Sequence, residues 1–198
     1  MMESKVMKSL AVLAVIMPLV LLLIVGDRGA GQAQAAPAPG GDKAMIERGK
    51  YLVLVGGCND CHTPFKMGPT GPERDMARLL SGTPETIQFS PPPKPEGSWV
   101  WFGDPTATAF AGPWGVCFAH NLTPDMETGL GAWTADIFIQ AMRTGKHMGK
   151  GEPILPPMPW EGIGQIPDED LKAIFAYLQS IPPIRNQAPT HQIAPMGK

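Results

Sequence analysis

The chain opens on an uncharged apolar run from Leu10 to Val25, preceded by Lys5 and Lys8 and interrupted at Pro18. The run is short of the ~20 residues that span a bilayer comfortably, and a string of small residues ending in Ala33-Gln34-Ala35 follows it. That order predicts an export signal cleaved at the A-x-A string, or a membrane anchor retained over residues 10–25. Either outcome puts the rest of the chain outside the cytoplasmic membrane, so a periplasmic location is expected. Residues 36–43 begin Ala-Pro-Ala-Pro-Gly-Gly and read as a linker. The expected organisation is a leader or anchor at 1–35, a linker at 36–43 and one domain at 44–198.

Helical periodicity comes next. Asp42 to Val55 predicts a helix that Asp42 can cap and Gly56-Gly57 can end. A middle helix is predicted from Ala135 to Thr144, with Thr134 as cap and Gly145 as terminator. In the last, from Asp168 to Ser180, Leu171, Ile174, Phe175 and Leu178 recur at i, i+3, i+4 and i+7. Its first turn is acidic, which suits the positive end of the helix dipole, and Pro182-Pro183 stops it. Between Gly68 and Cys117 no period emerges. This stretch predicts a loop-rich insertion with a hairpin, in which Trp99 and Trp101 share one face of a short strand. Its aromatics are expected to complete a core rather than to form a docking surface.

Composition narrows the class. The chain has 198 residues with 23 Gly and 23 Pro, well above the roughly 7% and 5% of an average chain, which excludes a long-helix or coiled-coil protein. Sixteen basic against 18 acidic side chains leave a net charge of −2, without the concentrated basic face that nucleic acid demands. Three cysteines are too few for a disulfide scaffold.

Two of them stand in Cys58-Asn59-Asp60-Cys61-His62, a C-x-x-C-H string and the attachment signature of c-type haem. Two thiols three positions apart on a tight turn can each form a thioether with one edge of the porphyrin. The next residue, His62, is then held beneath the iron as its proximal ligand. Three other readings compete. A thioredoxin-like C-x-x-C requires a βαβ pattern that this sequence does not show. A zinc site requires two further ligands at suitable spacing. A plain Cys58–Cys61 disulfide is compatible with an oxidising compartment. Cys117, the odd cysteine, reads as a small buried hydrophobe.

With its helix leading into C-x-x-C-H and its terminal amphipathic helix, the chain from about Ala44 to Ile184 resembles the c-type cytochromes. Within that family it is similar to bacterial dehydrogenase-associated haem subunits. The strings Asn121-Leu122-Thr123-Pro124-Asp125, Thr128-Gly129-Leu130-Gly131-Ala132-Trp133, Ala141-Met142-Arg143-Thr144-Gly145-Lys146 and Leu155-Pro156-Pro157-Met158-Pro159-Trp160 carry the likeness. The resemblance implies a mainly α, cytochrome c-like domain with a long loop-rich insertion. It also implies a crossing of first and last helices near the haem, where Gly49 would be the small contact residue and Tyr177 its aromatic neighbour. One motif implies one covalently bound haem c, although related subunits often carry several.

The resemblance also implies a methionine ligand in the segment before the last helix, and Met158 matches that position. Prolines at 156, 157 and 159 leave its loop little freedom to lose on ordering. Met148, in a Gly-flanked loop, is the runner-up, with His120, His147 and His191 as weaker rivals; Met45 and Met142 read as core residues. The expected site is therefore Cys58, Cys61, His62 and Met158, with His62 and Met158 on the iron. The expected function is single-electron transfer between redox protein partners, without catalysis of its own. The alternative is the electron-transfer subunit of a larger membrane-associated dehydrogenase complex. A third reading, an enzyme or gas sensor, requires an open iron position.

Overall fold

The computed structural model describes residues 43–93 and 97–194. The expected leader, nearly all of the expected linker and the proposed Asp42 cap lie outside the described residues.

Three helices carry the core: α1 (Lys43–Val55), α3 (Ala135–Thr144) and α5 (Asp168–Ser180), with the short α2 (Cys58–His62) and α4 (Trp160–Ile163) between them in sequence. The three spans are those the periodicity predicts, because each helix has a distinct apolar stripe and a local stop. The Thr134 hydroxyl accepts from the Ile137 amide at 3.2 Å, satisfying one orphan donor at the start of α3. Gly145 ends that helix in the left-handed region, φ 63°, and its amide donates to the Ala141 carbonyl at 2.9 Å.

The buried cluster joins Val53 of α1 with Phe138, Ile139, Ala141 and Met142 of α3 and the predicted stripe of α5, and is closed by Leu80 and Leu130 from loops. Phe138 and Phe175 meet with ring centroids 5.6 Å apart. Burying an aliphatic side chain of this size contributes about 1.5–3 kcal/mol, so the shared stripe is the main force holding the three helices. Met142 belongs to that core as expected, whereas Met45 lies on the exposed side of α1. Helix α1 crosses α5 at Gly49, and Arg48 pairs with Asp170 at the rim through 2.9 and 3.0 Å contacts.

The segment after the motif forms two small antiparallel sheets. Strands β1 (Phe65–Gly68) and β2 (Gly71–Arg74) make a hairpin in which Phe65 faces Arg74. The second sheet has the order β3 (Phe102–Gly103), β4 (Ala109–Gly112), β5 (Gly115–Phe118), β6 (Gln192–Ile193), so the C-terminal segment returns to form its edge. The expectation for the aromatics holds in part. Phe118 is buried, but Trp99 and Trp101 precede β3 rather than forming a strand and are 70% and 47% exposed. Strand β6 extends the ladder beside β5 at Gly115 and Val116, and Trp101 meets the Phe110 ring of β4 at 5.9 Å from outside the ladder. Among the described residues, no helix is long and apolar enough to cross a membrane.

Candidate functional site

Helix α1 ends as the sequence predicts. Gly56 donates to the Leu52 carbonyl at 2.8 Å, and Gly57 turns the chain at φ 66° into the five-residue helix Cys58–His62. A single helical turn puts Cys58 and Cys61 on neighbouring positions of one face, and both thiols are free. Burial pushes the Cys58 thiol up to about 11. Burial also raises the Cys61 thiol, reinforced by Asp60 and opposed by the Arg74 guanidinium. Both sulfurs are therefore neutral thiols at neutral pH.

His62 is buried, and its Nδ1 lies 2.7 Å from the backbone carbonyl of His120. A carbonyl only accepts, so Nδ1 carries the hydrogen and Nε2 keeps a free lone pair. Burial lowers the imidazole pKa against the opposing pull of that hydrogen bond, which keeps the ring neutral. An outer hydrogen bond of this kind fixes both tautomer and ring orientation, as metal-bound histidines require. The turn itself is tied down from three directions. Gly82 donates to the His62 carbonyl at 2.8 Å, and the Thr63 hydroxyl donates to Asn59 Oδ1 and accepts from the Leu80 amide, both at 2.9 Å. Arg74, on β2, donates to the Asn59 carbonyl and pairs with Asp60, its guanidinium 4.8 Å from the centre of the Phe65 ring.

Met158 packs, half-buried, against the same apolar cluster that Cys58 touches. Its loop is held by Cys117, which is buried and donates its S–H to the Pro156 carbonyl at 2.9 Å. Met148 stands exposed, in a left-handed turn at φ 52°. The three remaining histidines gather with each other. His120 lies 4.9 Å from His191 and 5.7 Å from His147 by ring centroid, and His147 stacks edge-on to Trp133 at 5.1 Å. His120 serves the candidate site through its main chain. Sequence reasoning missed that carbonyl, Arg74, Thr63 and the Cys117 contact. Nothing in a linear pattern marks an acceptor 58 positions from the ring it holds.

Two neutral thiols beside a buried imidazole with one nitrogen committed and the other free form a donor set that fits a porphyrin attached through both sulfurs and ligated from one face. The chain belongs to the c-type cytochrome family. Its particular likeness is to the cytochrome subunits of bacterial dehydrogenases. It is 31% identical over 134 residues to the gluconate 2-dehydrogenase cytochrome c subunit of Pantoea cypripedii, covering 68% of this chain and 22% of that one. It is 26% identical over 174 residues to the fructose dehydrogenase cytochrome subunit of Gluconobacter japonicus, 87% of this chain and 29% of the relative. It is also 30% identical over 150 residues to a nicotinate dehydrogenase subunit of Pseudomonas putida, 76% of this chain and 10% of the relative. The chain thus spans between 10% and 29% of the length of these curated relatives. No family model matches it.

Proposed function

We propose that this chain is a monohaem c-type cytochrome with a cytochrome c-like domain. It transfers single electrons between redox proteins outside the cytoplasmic membrane and does no substrate chemistry of its own. The observation that carries this reading is the 2.7 Å bond from His62 Nδ1 to the His120 carbonyl, made by a buried ring beside two unpaired thiols. Bound there, haem c would supply a metal that accepts and returns one electron. Cys58 and Cys61 would hold it through thioether links. His62 would ligate through Nε2, its basicity raised by the bond at Nδ1. Met158 would offer a thioether sulfur from the proline-rich loop, and such a ligand raises the reduction potential. Met158 and Cys58 both pack against the apolar cluster, a surround that would limit rearrangement as charge changes.

A second reading is favoured by the comparisons. Several relatives are by name cytochrome subunits of dehydrogenases, and one is a dihaem cytochrome from Cereibacter sphaeroides. On that reading the same electron relay works as one subunit of a larger membrane-associated complex, and stable co-purification with a catalytic subunit separates it from the free carrier.

The test of the site is optical and gravimetric. Natively matured protein should carry one covalent haem by mass, titrate as a one-electron couple, and show the weak red absorbance band of sulfur-to-iron charge transfer when oxidised. Met158→Ala should abolish that band and lower the potential. An unchanged spectrum in that variant removes Met158 from the iron, and colour lost to acid–acetone extraction removes covalent haem altogether.

A further inference from the structure

We propose that Cys117 is a positioning residue for the loop that carries Met158, making the β4–β5 hairpin a brace for the site. The inference rests on the reading of Met158 as the sulfur ligand. The loop is fastened at both ends by the terminus of α3. Upstream, Ile154 donates to the Gly145 carbonyl and His147 to the Glu152 carbonyl, each at 2.8 Å. Downstream, the Trp160 ring lies so close to Gly145 that a Cβ there would come within 2.5 Å of it.

Between those fastenings stand Leu155, Pro156, Pro157, Met158 and Pro159. Proline has no N–H, and the Met158 amide is already committed to the Leu155 carbonyl at 3.2 Å. From Pro156 to Pro159 the stretch therefore offers carbonyl acceptors and no further free N–H, so a hydrogen bond at its middle takes its donor from elsewhere. Cys117 supplies one at 2.9 Å to Pro156, two residues from the sulfur. Cys117 is 6% exposed and burial raises its pKa, so the S–H persists at neutral pH and reaches the carbonyl of the exposed Pro156 from the protein side. Its strand is secured in turn, with Cys117 opposite Phe110 on β4 and β6 paired along the other side of β5. A weak iron–sulfur bond benefits most from such a brace, because a loop held in place has less freedom to lose when its sulfur ligates.

The test is displacement of the sulfur by imidazole in the full-length, matured, oxidised protein, followed through the red band. Cys117→Val, close in size but without a donor, and Cys117→Ala should both bind imidazole about two- to five-fold more tightly than wild type, the effect of losing one part-buried hydrogen bond from a weak S–H donor. Cys117→Ser, which keeps a donor, should stay close to wild type. Wild-type affinity in the Val and Ala variants overturns the brace, and so does a Ser variant that binds imidazole as tightly as the Val variant. Urea midpoints of the same variants separate a local effect from general loss of packing: a gain in imidazole affinity that merely tracks the midpoint also overturns it. Met158→Ala separates the ligand from its brace. If it leaves band and imidazole affinity unchanged, the ligand reading fails and takes the brace with it. If it abolishes the band while the Cys117 variants stay silent, only the brace fails.

Discussion

The crossing of α1 over α5 can be tested at a single hydrogen atom. A Cβ built on Gly49 would lie 1.9 Å from the Ala173 carbonyl oxygen, 2.5 Å from its carbon and 2.9 Å from Tyr177 Cβ. Ordinary contacts between such atoms are about 3.5–4.0 Å, so Gly49→Ala requires the helices to part by roughly 1.5 Å at this point. The obstacle is backbone of a buried helix and cannot rotate aside. Overpacking of this kind costs about 1–3 kcal/mol, occasionally more. Against it stands the better helix propensity of alanine, a gain of about 1 kcal/mol. A 1.9 Å contact with main-chain atoms belongs at the upper end of that range, so the clash is the larger effect and the net destabilisation should be about 2 kcal/mol. With a urea dependence of about 1–3 kcal/mol/M, the unfolding midpoint should fall by roughly 1 M, read by far-ultraviolet circular dichroism. Gly162→Ala is the control, since nothing lies within 4 Å of a Cβ at that position, and it should be neutral or slightly stabilising. A Gly49→Ala midpoint equal to or above wild type would refute the close crossing. Because α1 runs directly into the Cys58–His62 turn, the same variant should weaken the red band of the matured protein.

Two further outcomes follow from buried and rim polar groups. Asn186 is fully buried; its Nδ2 donates to the Ser81 and Thr83 carbonyls at 2.7 and 2.9 Å, and its Oδ1 accepts from the Glu85 amide at 3.0 Å and from Arg78 at 2.6 Å. Asn186→Ala leaves those partners without a mate and should cost about 2–4 kcal/mol in chemical denaturation, and a loss under about 0.5 kcal/mol would show that water replaces the amide. The hydrogen bond from Arg48 holds the Asp170 carboxyl below its usual range, so the pair stabilises the fold above the unfolded carboxyl pKa of about 3.9 and loses that effect as pH falls through the lower folded value. The midpoint gap between wild type and Asp170→Asn should therefore close below about pH 4 and narrow in high salt; a gap that persists to about pH 2 would assign it to something other than charge.

Helix spans, their stops and the cofactor motif are legible in the sequence because each is a local matter. A stripe at i, i+3, i+4, i+7 in Leu171–Leu178, a Thr–Gly bracket around Ala135–Thr144, and a C-x-x-C-H turn all act within a few residues of themselves. Gly49 and Tyr177 are legible too, through the family resemblance, and the crossing puts them in contact. The Trp99–Trp101 stretch misleads because alternation suggests a strand without saying whether a partner strand is there; the ladder begins only at Phe102.

What the tertiary structure alone decided is the set of partners that come from far along the chain. His62 is oriented by a backbone carbonyl of His120, the motif turn is clamped by Arg74, and the Met158 loop is held by Cys117 from a sheet whose edge strand comes from the other end of the domain. A backbone carbonyl has no side-chain signature, and a lone cysteine in a strand reads as filler. Their roles arise only when folding brings positions 39 and 58 residues apart within hydrogen-bonding distance. The sequence by itself offered the donor atoms, two thiols, an imidazole and a thioether; the folded chain decided which way the imidazole points and which partner holds the Pro156 carbonyl.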